Sequence, residues 1–486
     1  MSRHHRTPAR GIQRVAQAPT HEGRFGRMFR RLPTFRQTDE RLQGLADSMH
    51  EGDGAQDNPD IPAGYTYFGQ LVDHDITFDP ASSLERANDP DALVNFRTPR
   101  FDLDSLYGRG PADEPPLYTR ADHNRFLIGK GRVVEGQGGQ PGAEAADDDL
   151  PRNSEGTAII GDPRNDENVI VSGLQLVFLK LHNRMIDLIC EQQPDLQGAE
   201  LFKEAQRVVR WHYQWVVVND FLVRIAGHEI VDSILVAVDP ANPELGKRVK
   251  TRFYRPQRDA YMPVEFSVAA YRFGHSMVRP SYRINDVVPE LPIFAASEDP
   301  GPLDDFHGGR HLPSQWTIDW RKFLDFEGPG SAGQASRSID TKLAEGLFKL
   351  PGEPPELESL ALRNLKRGRA LELPSGRRVA TAMGTEPLSP EVLGTERPPP
   401  LWFYVLKEAE VQQEGKRLGE VGGRIVAEVL LGLLAHDPLS YIRVEPGFQP
   451  ILPDIDGDGR FTLPDLVRFA LGDAPAPPPP PGGWGS

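Results

Sequence analysis

Between residues 166 and 193 apolar side chains (Leu174, Phe178, Leu181, Met185, Leu188) return every three or four positions. That is the period of an α-helix, not of a strand. The same spacing runs over 201–225, with Trp211 and Trp215 four residues apart and both read as core. Shorter helical patterns cover 39–49, 269–278 (stopped by Pro280), 340–350, 357–369 and 419–434. Strand signals are sparse, with small ribbons expected only at 133–134 and 378–380. No internal repeat is visible. The chain should therefore fold as a mainly α protein with long loops. Four segments are expected: an Arg-rich arm (1–42), a body (43–446), an acidic loop with a helix (447–474) and a Pro-rich, disordered tail (475–486).

A net charge of −15 over 486 residues argues against a nucleic-acid partner. The single cysteine, Cys190, excludes an intramolecular disulfide framework, a Cys-rich zinc site and a Cys-x-x-Cys-His haem attachment. Lying on an amphipathic helix, its thiol is expected to be buried and inert. Residues 1–20 are basic without an apolar segment, so no secretory signal is expected. The longest apolar run, 425–435, is interrupted by Glu428 and too short to span a bilayer. A soluble protein follows, in the cytoplasm or exported without a signal. Oligomeric state stays open.

The chemistry concentrates around Phe68-Gly69-Gln70-Leu71-Val72-Asp73-His74-Asp75-Ile76. As a helix it sets Phe68, Leu71, Val72 and Ile76 on one face and Gln70, Asp73 and His74 on the next. An imidazole beside an amide and a carboxylate can take a proton, hold it and return it. Taken alone, the polar stripe reads as the wet face of an ordinary amphipathic helix; four further clusters reverse that. Gly161–Asn168 puts Arg164 and Glu167 three residues apart at a helix start, as dipole partners or as a fixed cation for a developing oxyanion. Tyr271–Ser276 places His275 on an aromatic-rich helix, with Gly274 letting a flat group approach. Asn364, in Arg363–Arg369, is either a capping amide or the group that orients a metal-bound imidazole. Thr98, Asp102 and Asp104 converge as alternate oxygens of an extended loop, joined by Asp75. That set suits a hard cation such as Ca2+, or is only an acidic, turn-rich loop.

These residues, in this order and spacing from about 43 to 442, resemble the animal-type haem peroxidases of the peroxidase–cyclooxygenase superfamily. The resemblance rests on Phe68-Gly69-Gln70-x-x-Asp73-His74-Asp75, Asp162-x-Arg164-x-x-Glu167-Asn168 with His182-Asn183-Arg184, Arg272-Phe273-Gly274-His275, Asn364-x-x-Arg367-Gly368-Arg369 and 422–434. It implies that family's helical fold and a haem peroxidase that reduces hydrogen peroxide. A ferryl intermediate would then oxidise halide, thiocyanate or small aromatic donors. It implies that His74 is the distal base, Arg164 the charge stabiliser, Gln70 a lining residue of the distal cavity and His275 the iron ligand. It also implies that His275 gives a hydrogen bond from its other ring nitrogen to Asn364. Asp73 and Glu167 hold the positions that form ester links, implying covalently held haem b. Asn168 replaces the methionine whose sulfonium link myeloperoxidase adds, so that link is expected to be missing. Calcium held by Asp75, Thr98, the carbonyl of Arg100, Asp102 and Asp104 would clamp the distal helix.

Two departures stand out. Ala370-Leu371-Glu372 replaces the family's usual Asp-His-Gly, and the disulfides of the secreted animal enzymes cannot form, which suits a compact bacterial-type member. Near the C-terminus, Asp454, Asp456, Asp458, Arg460 and Asp465 occupy EF-hand-like positions around Gly459, so a second Ca2+ is an expectation and an acidic turn the alternative. Two other functions compete with this reading. A fatty-acid dioxygenase of the same superfamily needs a radical tyrosine where this chain has Arg272. A catalytically quiet, calcium-bearing adhesion module would not need His74, Arg164 and His275 together.

Overall fold

The computed structural model describes residues 25–78, 95, 97–131, 148–257, 259–295, 301, 303–351 and 353–478. Its centre is a set of packed helices. α1 (Gly64–Ile76), α2 (Val169–Gln192) and α3 (Gly198–Val216) form one side. α4 (Leu360–Ala370), α5 (Leu401–Gln413) and α6 (Glu420–His436) form the other. A last helix, α7 (Leu463–Leu471), packs on α2. Strands are short and occur in two-stranded pairs, such as Asp57–Pro62 antiparallel to Ala335–Arg337.

α2 is the helix that its apolar spacing predicts. Asn168 starts it, its Oδ1 accepting from the backbone N–H of Ile170 at 3.1 Å and of Val171 at 2.9 Å. Such a cap is worth about 1 kcal/mol. α2 has the length and composition of a membrane-crossing helix, yet it is largely buried among α1, α3 and α7, which is what a core helix does. α1 begins at Gly64, where a Cβ would stand 2.7 Å from the Phe323 carbonyl oxygen; only glycine allows that approach.

The pattern over 201–225 resolves into α3, a π-turn (Val217–Phe221) and a short helix, Leu222–Ala226. The wider turn presents Asp220, a common use of such insertions. Its Oδ2 accepts from Tyr65 Oη at 2.6 Å and from Leu463 N at 2.9 Å. One carboxylate thus joins α1 to the start of α7, and Leu463, Leu466 and Val467 are buried in the common core. Glu428 works similarly, accepting backbone N–H groups of Arg252, Phe253 and Tyr254.

Several local expectations give way. Residues 378–380 lie in a helix (Gly376–Met383) that buries Val379, Ala380 and Met383 on one face. The pattern over 269–278 forms only a 3-10 turn, Ala270–His275, and 340–350 only Glu345–Phe348. Cys190 is exposed, because it falls between the buried rows of α2 instead of on one. Residues 133–134 and 1–24 lie outside the described residues. Residues 25–26 pair with Met262–Pro263, and Phe25, Met28 and Phe29 pack on the core, so this part of the arm belongs to the body.

Candidate active site

Between the two sides lies a cavity of about 630 Å³. α1 contributes Gln70, Asp73 and His74 to its wall, the turn before α2 contributes Glu167 and Asn168, and the 3-10 turn contributes Tyr271, Arg272, Gly274 and His275. His74 and His275, 201 positions apart in the chain, thus line one cavity.

The two rings are held differently. His74 Nδ1 lies 2.7 Å from Asn165 Oδ1, and Asn165 Nδ2 donates to Gln175 Oε1 at 2.8 Å. The amide oxygen therefore faces the ring, Nδ1 carries the proton, and Nε2 is left with its lone pair. His275 Nδ1 lies 2.8 Å from Asn364 Nδ2, while Asn364 Oδ1 accepts from Arg272 Nη1 at 2.6 Å. A guanidinium only donates, so it fixes the amide this way round and Nδ1 of His275 must accept. The expected direction, imidazole donating to Asn364, is reversed because Arg272 takes the oxygen.

Burial holds both imidazoles neutral. His74 is pushed down to about 3 by burial and then by the Arg164 charge, and His275 to about 3 by burial and then by Arg272 and Arg363. The carboxyls move the other way. Burial raises Asp73, against the pull of Arg164 and Arg272, and raises Glu167 to about 7. Gln70 Nε2 donates to Glu167 Oε1, and Asn168 Nδ2 donates to Gln70 Oε1 at 3.3 Å, making a polar row beside His74.

Arg164 is not among the residues that line the cavity. Its Nη2 donates to Asp162 Oδ2 at 2.8 Å and to the carbonyls of His74 at 2.9 Å and Thr77 at 2.6 Å, and its guanidinium lies over the Phe78 ring. Burial works to raise Asp162, but its bonds to Arg164 and the Arg97 charge prevail and hold it at about 2. The arginine braces the end of α1 and acts on His74 through its field.

Behind α1, carboxylate oxygens of Asp75, Asp102 and Asp104 lie within 4.8 Å of one another. Thr98 Oγ1 donates to Asp102 Oδ2 at 2.8 Å, and Leu103 N donates to Asp75 Oδ2 at 3.2 Å. Leu103 itself has φ 54°, a left-handed conformation that a leucine adopts only under constraint. Burial and the neighbouring carboxylates raise Asp75 well above its ordinary value and Asp104 to about 7. Arg100 follows Thr98 in the same loop, its N–H donating to the Thr98 carbonyl at 2.8 Å. The second acidic group, Asp454, Asp456 and Asp458, is also within 4.8 Å but largely in solvent. Asp454 accepts from Gly457 N at 2.9 Å, Asp458 pairs with Arg460, and Asp465 accepts from Ile455 N at 2.9 Å and Thr462 N at 2.8 Å.

Residues 80–389 match the family described as animal haem peroxidase. The chain belongs to the animal haem peroxidase family. The matched span carries Arg164, Glu167, His275 and Asn364, while Gln70, Asp73 and His74 lie just before it. The chain is similar to chorion peroxidase of Aedes aegypti (29% identical over 209 residues, 43% of this chain and 24% of that protein). It is also similar to human thyroid peroxidase (25% over 311 residues, 60% of this chain and 30% of that protein). It thus spans under a third of either relative's length. In fold it resembles peroxidase A from Dictyostelium discoideum (TM-score 0.59, 16% identity, 88% of this chain and 89% of that chain). The fatty acid alpha-dioxygenase of Arabidopsis thaliana is similar too (TM-score 0.60, 15% identity, 93% and 78%). Membership in an animal haem peroxidase family implies haem binding.

The cavity suits that group. A Cβ on Gly274 would meet nothing within 4 Å, so the backbone there is open to a flat ligand, between one imidazole on each wall and two carboxyls. Sequence reasoning did not single out Asn165, although it adjoins Arg164, or the partnership of Arg272 with Asn364.

Proposed function

We propose that this protein is a haem peroxidase that reduces hydrogen peroxide and oxidises small anionic or aromatic donors. The observation that carries the reading is that His74 and His275 line one cavity with opposite hydrogen-bond partners. Haem, when bound, supplies the iron and the electrons for cleaving the O–O bond. His275 holds it from one side. To do so its Nε2 would give up its proton to solvent, and the Asn364 N–H and the Arg272 charge would favour the more anionic ring that results. His74, neutral and presenting Nε2, takes the proton from the near oxygen of peroxide and returns it to the departing one. Gln70 lines that side of the cavity. Arg164 steadies the negative charge of the departing oxygen, through space as the side chain stands or directly if it releases Asp162.

Asp73 and Glu167 would form ester links. Both carboxyls are already pushed toward their neutral forms by burial, and an ester removes the charge that burial disfavours. Asn168, occupied as the cap of α2, offers no sulfur for a third link. Calcium at Asp75, Thr98, the Arg100 carbonyl, Asp102 and Asp104 would relieve the crowding of three carboxylates and fix the residue next to His74. A second calcium at Asp454, Asp456, Asp458, the Arg460 carbonyl and Asp465 rests on loop shape alone.

The dioxygenase alternative draws on Tyr271, which lines the cavity and donates to the Gly69 carbonyl at 3.2 Å. The residue three before His275 is nevertheless Arg272, committed to Asn364. Two measurements decide. The haem-loaded protein should consume peroxide with thiocyanate or a phenol, and acid-acetone should leave pigment on the polypeptide. Oxygen uptake with linoleate in place of peroxide turnover would reverse the order of the readings, and complete extraction would remove the esters.

A further inference from the structure

A third imidazole, His307, lines the same cavity, and nothing above uses it. It arrives on a strap, residues 305–309, laid along the turn that carries Glu167. Val169 N donates to the Phe306 carbonyl, Gly308 N to the Glu167 carbonyl and Gly309 N to the Asp166 carbonyl, each at 2.9 Å. A Cβ on Gly308 would stand 1.8 Å from the Asp166 carbonyl oxygen, so glycine is what lets the strap seat. The strap thus seats His307 on the turn that carries Glu167 and Asn168, and its side chain lines the cavity with Gln70 and His74.

Its hydrogen bonding is that of a base. His307 Nδ1 bonds Oδ1 of Asp305, a residue with no exposed surface. The other oxygen, Oδ2, accepts from Ala295 N at 2.8 Å, fixing the chain next to Phe294, which also lines the cavity. Arg310 closes the back, donating from Nη2 to the Asp305 carbonyl at 2.6 Å. Its Nη1 lies 3.0 Å from Nε2 and 3.1 Å from Nδ1. Being almost equidistant, it lies against the ring and is not in line with the Nε2 lone pair. A carboxylate on Nδ1 keeps the proton there and leaves Nε2 as the acceptor. The side chain is 33% exposed, so the ring is not sealed from the cavity.

We propose that His307, oriented by Asp305, docks phenolic electron donors and accepts their proton. The apolar wall of Ile293, Phe294, Leu347 and Leu350 would hold the arene, with its hydroxyl on Nε2. The phenol O–H bond breaks, the proton passes to His307 and on to solvent, one electron goes to the cofactor, and a phenoxyl radical leaves. Two such donors supply the two electrons and two protons with which one peroxide becomes two waters. Thiocyanate has neither an arene nor a hydroxyl proton and should depend on His307 far less. This role rests on the peroxidase reading.

The test compares His307→Gln and Asp305→Asn with wild type in the haem-loaded protein, using p-cresol and thiocyanate as donors. Calorimetry measures p-cresol binding to the resting protein in the absence of peroxide. In His307→Gln the ratio of kcat/KM for p-cresol to that for thiocyanate should fall at least tenfold, and p-cresol should bind several-fold more weakly. Asp305→Asn should shift both quantities in the same direction and by less. An unchanged ratio with unchanged p-cresol binding, or an equal loss for both donors, overturns the role of His307 and leaves the peroxidase reading standing. A wild-type protein inert to peroxide with either donor overturns that reading, and this role with it.

Discussion

The two walls of the cavity use the same pair of residue types, a histidine and an asparagine, to opposite effect. On the α1 wall Asn165 turns its oxygen to His74, because Gln175 accepts from its nitrogen. On the other wall Asn364 turns its nitrogen to His275, because Arg272 claims its oxygen. Burial holds both rings neutral, so the difference lies in where the single proton sits. His74 presents a lone pair to the cavity and is ready to act as a base. His275 presents an N–H, and its wall favours exchanging that proton, released to solvent, for a metal. The remote partner of each amide sets where the ring proton sits, and with it the role proposed for each histidine.

The comparison breaks most readily at the rings themselves. His74→Ala should keep the pigment and slow the reaction with peroxide by roughly a hundred- to ten-thousand-fold, whereas His275→Ala should lose or loosen the haem. Rapid mixing with peroxide, together with the absorption spectrum, separates them, and matching losses in both variants would end the assignment. The next effect is at the amides. Asn364→Ala should weaken haem retention by about ten- to a hundredfold. Asn165→Ala should leave retention alone and slow peroxide reduction, because the His74 ring can then adopt the wrong tautomer. Haem transfer to apomyoglobin reads the first and stopped-flow the second.

The smallest effect should come from the carboxylates next to His74. Asp104 is raised to about 7 by burial and by Asp102, so without metal the fold favours its neutral form. That contribution is complete below the ordinary carboxylate range and is lost as pH rises through about 7. Calcium reverses the slope, since it binds the ionised carboxylates and stabilises more as pH rises over the same window. Melting temperatures from pH 5 to 8, with calcium or with EDTA, should therefore diverge upward in pH. Chelation should slow the peroxide step that depends on His74 before it affects haem retention on the His275 wall.

The helices and the identities at the two walls were legible because each rests on local signals, the 3.6-residue period of α2 and short motifs in fixed order. The wall chemistry was less so. Asn364 reads as a partner of His275 only through the family resemblance, and the direction of their bond depends on Arg272, which the sequence offered as a motif residue and as the replacement of a tyrosine, not as a partner of Asn364. Arg164 reads as a cation for the cavity, and its commitment to Asp162 and to the carbonyls of His74 and Thr77 is a tertiary fact. His307 left no signal, since its strap reaches the Glu167 turn through backbone bonds, and the one side-chain requirement, a glycine at 308, does not point to an imidazole. At 378–380 a β-branched valine among arginines suggested a ribbon, and burial of Val379 and Met383 on one helical face overrode it.

The central claim is that His275 would hold the haem iron while His74, across the same cavity, would serve as the base. Electron–nuclear double resonance on the ferric, haem-loaded protein carrying 15N-histidine measures this directly. One strongly coupled histidine nitrogen is expected, retained in His74→Ala and absent in His275→Ala. A coupling that survives loss of His275, or that vanishes with His74, would contradict the account.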